Sequence, residues 1–287
     1  MILTAGETRT FATQFTQEQF NRFAALSGDD NPIHVDPEFS AHTKFGRTVA
    51  HGMFIYANIC RALGETAPGA VQLEQELMFP APTFTDEPVE IQLRLTGFDG
   101  VGLARLETNV VKADEQFGCQ GTTLLRLPGA RGEFAYDATE PQPQTGPEWR
   151  GLAVGQSAAL RRIYSRADMD EYLDLLDETN PLYTEPAAAV AAGLRGAPLP
   201  GPLFGAMFSC LLGTKLPGRG TNWLKQRFSF RAAAYPGDEL LARVRITRIR
   251  PEKDLVNLRA WVSGPDGELL CDGEALVWVS DLEDRGG

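Results

Sequence analysis

The clearest pattern along the chain is a change of hydrophobic period from about three and a half to two. Phe20, Phe23 and Ala24 recur at helical spacing, and Thr16 precedes them with Gln19 three positions on. A hydroxyl followed by Gln at that distance resembles a capping box. Next comes a mostly apolar stretch with few charges, Met53 to Leu63, which is best explained as a fully buried helix. Beyond it the period drops to two. Leu73-Gln75-Leu77-Phe79 and Val89-Ile91-Leu93-Leu95 alternate cleanly, followed by Leu103-Leu106-Val110 and Thr122-Leu124-Leu125-Leu127. With turn residues such as Asp99-Gly100 between runs, this predicts an antiparallel sheet. One buried helix wrapped by one curved antiparallel sheet is an α+β domain.

The same order then repeats. Tyr164-Ser165 and Asp168 stand where Phe15-Thr16 and Gln19 stand, 149 residues earlier, and a second helix is expected to bury Met169, Tyr172 and Leu173. The offset of 149 also carries Asn31-Pro32-Ile33 onto Asn180-Pro181-Leu182 and Gly52 onto Gly201. Leu203 to Leu212 repeats the buried helix. At 151, Leu73, Gln75, Leu77 and Phe79 fall on Leu224, Gln226, Phe228 and Phe230; at 152, Cys119-x-Gly121 falls on Cys271-x-Gly273. Matches in one order, with so little drift, indicate two related domains.

Pro128-Gly129-Ala130-Arg131-Gly132 and Pro141-Gln142-Pro143-Gln144-Thr145-Gly146-Pro147 have linker composition. The expected division is therefore 1–130, a linker over 131–149, and 150–287. Each domain exposes a sheet edge, and pairing the two edges into one continuous sheet removes both. An internal pseudo-dimer follows, either alone or paired again with a second chain.

Composition narrows the functional classes. The chain is 43% hydrophobic and 23% charged, with a net charge of −11, which argues against nucleic-acid or anionic-membrane binding. No apolar run approaches the roughly 18–20 residues of a membrane span, and Met1 to Thr16 lacks the layout of a signal peptide. Cys60, Cys119, Cys210 and Cys271 show no CxxC spacing, so neither a metal site nor a disulfide framework is expected; they read as small buried hydrophobes in a cytoplasmic protein.

All three histidines, His34, His42 and His51, lie within eighteen consecutive residues. Imidazole chemistry is confined to that segment. It contains Ser27-Gly28-Asp29-Asp30-Asn31-Pro32-Ile33-His34 and, seventeen residues after His34, Ala50-His51-Gly52-Met53. In order and spacing these resemble the signature of the MaoC-like, (R)-specific enoyl-CoA hydratase family. The second copy resembles the family through Leu216-Pro217-Gly218-Arg219-Gly220-Thr221, Phe228-Ser229-Phe230 and Pro236-Gly237-Asp238-Glu239.

The resemblance implies two tandem hot-dog domains and reversible hydration of a trans-2-enoyl thioester to a (3R)-hydroxyacyl thioester. It places the catalytic pair on Asp29 and His34 and the backbone oxyanion donor on Gly52. The residue types suit that chemistry. A carboxylate and an imidazole can hold one water and move its proton. A helix-start N–H with no side chain in the way can stabilise charge on the thioester oxygen. Asn31 is expected to shape the turn, and His51 to hydrogen-bond locally and place Gly52. His42 reads as a surface or structural residue, and Asp30 and Asp36 as solvated or capping.

In the second copy Asp29 becomes Glu178, His34 becomes Tyr183 and His51 becomes Pro200. Glutamate is one methylene longer, and tyrosine, with a reference pKa of about 10, is a poor base. The second site is expected to be inactive and to serve structure and substrate binding. No cofactor is expected beyond coenzyme A or an acyl carrier protein as part of the substrate. Lys44, Arg47, Lys215, Arg219 and Lys225 are the candidate contacts to its phosphates. Rival readings are a hot-dog thioesterase and a non-catalytic acyl-CoA-binding protein.

Overall fold

The computed structural model describes residues 4–130, 146 and 148–282; the core of the expected linker lies outside them. The first half runs β1 (Thr8–Gln14), α1 (Gln17–Ser27), α2 (Pro32–Val35), α3 (Pro37–Ala41), α4 (Gly52–Thr66), β2 (Val71–Met78), β3 (Pro88–Phe98), β4 (Leu103–Lys112) and β5 (Phe117–Arg126). The second half repeats this with β6 (Ser157–Ile163), α5 (Arg166–Leu176), α6 (Pro181–Thr184), α7 (Pro186–Ala191), α8 (Gly201–Thr214), β7 (Asn222–Phe230), β8 (Glu239–Arg250), β9 (Leu255–Ser263) and β10 (Leu269–Trp278). This is a tandem hot-dog α+β fold.

Both capping boxes form. The Thr16 hydroxyl accepts from Gln19 N while the Gln19 side chain accepts from Thr16 N; Ser165 and Asp168 do the same at α5. Thus Asp serves where Gln stands in the first copy. The second helix buries Met169, Tyr172, Leu175 and Leu176, whereas Leu173 is only half-buried. The expected burial set is corrected at that position, because the helix turns Leu175 and Leu176 to the core. All four cysteines are buried and free.

The strands form one ten-stranded sheet in the order β1-β3-β4-β5-β2-β7-β10-β9-β8-β6. At its centre β2 and β7 pair antiparallel, with Gln75 opposite Phe228 and Leu77 opposite Gln226. The two halves therefore share the seam that the unpaired edges called for. The outermost strands, β1 and β6, alternate exposed and half-buried residues along their whole length.

The central helices α4 and α8 lie against the sheet and against each other. A Cβ on Gly205 would fall 2.3 Å from Met53 Sδ, so the missing side chain sets how closely the helices approach. Phe54, Tyr56, Phe208 and Phe228 are among the large side chains buried completely around them. Among the described residues no helix is long and apolar enough to cross a membrane.

Candidate active site

Local backbone chemistry delivers Asp29. Helix α1 stops at Gly28, which has φ +77° and donates its N–H to Ala24 O at 2.8 Å. The left-handed residue turns the chain inward, and Asp29 is left 2% exposed with its N–H on Ser27 Oγ at 3.1 Å. Asn31 then caps α2, its side chain accepting from Ile33 N, and Pro32 opens the short helix that carries His34. Asp36 likewise caps α3, while His42 is exposed with Nδ1 at 2.8 Å from Glu38 O.

The histidine tautomers follow from their partners. His34 Nδ1 lies 2.7 Å from Val49 O, a group that can only accept, so Nδ1 carries the hydrogen and Nε2 has a lone pair in the neutral ring. His51, fully buried, donates from Nε2 to Asp29 O at 3.0 Å. Its ring stacks on that of His34 with centroids 3.9 Å apart. His51 thus contacts both Asp29 and His34 and immediately precedes Gly52. Gly52 opens α4, where the first amides have no intrahelical acceptor.

The second half completes the site. Ser209 of α8 donates its hydroxyl to Asp29 Oδ2. Gly213, one turn further on, comes so close that a Cβ there would lie 3.2 Å from Asp29 Oδ1. That oxygen is buried and has no hydrogen-bond partner. Burial opposes ionisation of Asp29 most strongly. His34, His51, the Ser209 hydroxyl and the Asn31 amide outweigh it and hold the carboxyl below its usual range. Burial, then the neighbouring His34, pushes His51 down to about 3, so it stays neutral. Ser209 is the functional-site residue that sequence reasoning missed.

A cavity of about 520 Å³ opens over this group, a size suited to a small-molecule site. Asp29, Asn31, His34, Gly52 and Ser209 line it, together with Ile55, Phe79 and Leu212. Of the five candidate cations, only Lys44 is in its wall. Arg47 instead donates to Thr85 O beside the Phe84 ring, and Lys215 donates to Ala159 O. Arg219 is exposed next to Gly220, and Lys225 borders a different groove with Gln226 and Arg227. Alternation along β7 puts Lys225 on the outer face of the sheet, which a count of charges does not reveal.

Asp29, His34 and His51 each offer a ligand atom within 4.8 Å of the others, the one such trio among the described residues. A carboxylate with two imidazoles can bind a divalent transition ion. One nitrogen of His51 is already committed to Asp29 O.

The equivalent place in the second half is built differently. Glu178 is buried, with Oε1 accepting from Asn180 N at 2.9 Å and Oε2 unpartnered. Burial raises its pKa against the opposing Asn180 and Thr179 amides. No imidazole is present there, and Cys60 stands at the offset of 149 from Ser209. The Tyr56 hydroxyl, donating to Gln72 Oε1 at 2.5 Å, reaches within 3.1 Å of where a Gly201 Cβ would sit. A phenol from α4 thus fills space beside the counterpart of Gly52.

Fold and site together define a double hot-dog protein with one buried carboxylate–imidazole pair. Residues 4–116 match the MaoC like domain, and residues 153–272 match the FAS1-like dehydratase domain region. The (R)-specific enoyl-CoA hydratase of Aeromonas caviae is 34% identical over 128 residues, covering 45% of this chain and 96% of that protein. The 3-hydroxyacyl-thioester dehydratase Z of Mycobacterium tuberculosis is 35% identical over 123 residues, 39% of this chain and 81% of that protein. A solved Mycobacterium tuberculosis protein described as having a double hot-dog fold superposes with a TM-score of 0.75 at 13% identity, over 96% of this chain and 97% of that one. The chain belongs to the MaoC-like family of hydratases and dehydratases, which are hydro-lyases.

Proposed function

We propose that the protein interconverts trans-2-enoyl thioesters and (3R)-hydroxyacyl thioesters, using Asp29 and His34 on one water. What supports this reading is a pair of uncommitted atoms on two residues that line one cavity: the buried Asp29 Oδ1 without a partner, and His34 Nε2 with its lone pair. A water held by both would have its oxygen free to attack C3. As its oxygen adds to C3, one proton passes to His34 Nε2, and the ionised Asp29 beside it stabilises the imidazolium. Negative charge moves to the thioester oxygen, where the Gly52 amide at the start of α4 would stabilise it. The proton on Nε2 then passes to C2, so that one water has been added and the ring is restored. Dehydration is the reverse path. The (3R) outcome is taken from the hydratase relative.

The test is loss of the conjugated enoyl absorbance with crotonyl-CoA and with branched and longer enoyl thioesters, followed by chiral analysis of the product. Asp29→Asn and His34→Ala are each expected to lower kcat by about two to four orders of magnitude. Release of free thiol instead of hydration would move the protein to the thioesterases. Tight binding without turnover would make it an acyl-thioester-binding protein.

A further inference from the structure

We propose that Lys44, Trp278 and Asp281 form an anion subsite at the cavity mouth for a phosphate of the thioester's carrier, with the Asp281 carboxylate standing in the anion's place until the substrate arrives. The choice of ligand rests on the thioester reading above.

The three side chains line the same cavity as Asp29 and His34. Lys44 follows α3 in the first half; Trp278 ends β10 and Asp281 follows it in the second. Asp29 is 2% exposed and His34 half-buried, while the Lys44 and Asp281 side chains are 44% and 45% exposed, so these two mark the solvent end. An acyl group that puts its C3 beside Asp29 must trail its carrier outward past them. Lys44 is the one cation in that wall among the described residues.

The geometry holds Lys44 ready for an anion. Its Nζ lies 4.0 Å from the centre of the Trp278 ring and 5.1 Å from that of Phe45. These contacts fix the ammonium whichever anion it meets. Its present partner is Asp281 Oδ2 at 2.5 Å. An ion pair this exposed is weak, so a phosphate that forms charge-assisted hydrogen bonds displaces it readily. Asp281 is nevertheless placed by the fold: a Cβ on Gly220 would lie 1.9 Å from Asp281 O. In the same wall, Thr221 Oγ1 is buried without a hydrogen-bond partner and adds an unused hydroxyl.

The experiment compares crotonyl-CoA, crotonyl-phosphopantetheine and crotonyl-pantetheine as substrates of wild type, Lys44→Ala and Asp281→Asn. Lys44→Ala is expected to raise KM about tenfold for phosphate-bearing thioesters, leaving kcat and the pantetheine thioester unchanged. Asp281→Asn is expected to lower KM for the same thioesters about two- to threefold by removing the competing carboxylate. An effect with phosphopantetheine assigns the arm's own phosphate, common to coenzyme A and a carrier protein; an effect confined to coenzyme A assigns a nucleotide phosphate. Either supports the subsite, and equal changes with the pantetheine thioester, or no change, overturn it. Binding of free coenzyme A and of pantetheine, followed by tryptophan fluorescence, gives a readout without turnover. If wild type binds coenzyme A through Lys44 yet hydrates nothing, the hydratase reading fails and the subsite stands. If wild type and Lys44→Ala bind coenzyme A equally, the subsite fails whatever the activity.

Discussion

Ser209 and Asp29 lie 180 residues apart and meet in one hydrogen bond, hydroxyl to carboxylate Oδ2, across the two halves of the molecule. The bond occupies one carboxylate oxygen, while Oδ1 is buried without a partner. It also favours the ionised acid. Removing it leaves Asp29 easier to protonate and less well oriented. Ser209→Ala is therefore expected to lower kcat about tenfold and to move the acid limb of the pH–rate profile to higher pH. Ser209→Thr, which keeps the hydroxyl, should restore the limb's position. A profile that loses height without moving would show that Ser209 does not tune Asp29.

Gly213 tests the spacing of the same contact. Alanine in a helix interior gains up to about 1 kcal/mol over glycine, yet here its methyl would press on Asp29 Oδ1 from 3.2 Å. Gly213→Ala is expected to keep or raise the melting temperature while lowering kcat. Thermal melts and steady-state rates on one preparation check both halves of the statement.

Glu178 gives a pH signature of its own. Its folded pKa is raised above the ordinary 4.5, chiefly by burial. The folded state therefore binds the extra proton, and its stabilising effect is complete below 4.5 and is lost as pH rises through the folded value. Glu178→Gln should melt higher than wild type at pH 8, the gap should close near pH 4, and hydration should be unaffected. A variant that loses activity at unchanged stability would give the second site a chemical role.

His51 acts in the opposite sense. Its folded pKa of about 3 lies below the usual 6.5. The unfolded chain then binds more protons between those values, so this residue makes stability fall as pH drops from 6.5 toward 3. His51→Gln should flatten that part of a plot of melting temperature against pH. Unchanged slopes would mean that another group governs the acid limb.

The trio of Asp29, His34 and His51 makes metal dependence a direct question. Acid–base hydration by the pair requires no ion, so dialysis against a strong chelator is expected to leave kcat within a factor of about two. Loss of activity restored by zinc or manganese would replace the proposed mechanism with a metal-bound water.

Much of this was legible from the chain because the signals are local. Thr16 with Gln19 and Ser165 with Asp168 announce their helices within four residues, and Asn31-Pro32 fixes the turn that carries His34. The repeat, with an open sheet edge in each copy, foretold a shared seam; that β2 and β7 form it is seen in the structure. Strands β1 and β6 were not legible, because they bury little: Thr8–Gln14 holds one large apolar residue, Phe11, and it is only partly covered. Ser209 was invisible for another reason. It is one polar residue in an otherwise buried apolar helix, and its partner lies in the other half. Tyr56 likewise reads as core from its spacing, yet it occupies the counterpart site. Lys225 shows the converse, a charge near the right residues in sequence but on the other face of the sheet.

The β2–β7 seam joins two halves of one chain. In a symmetric homodimer every substitution appears twice, so a serine that helps one site must be tolerated at the other. Here Cys60 and Ser209, or Tyr56 and Gly205, occupy matching places and differ freely. Carrying both halves in one chain releases each position from its twin. One half can specialise as wall and filler while the other keeps the reacting groups, and the division is inherited as a single polypeptide.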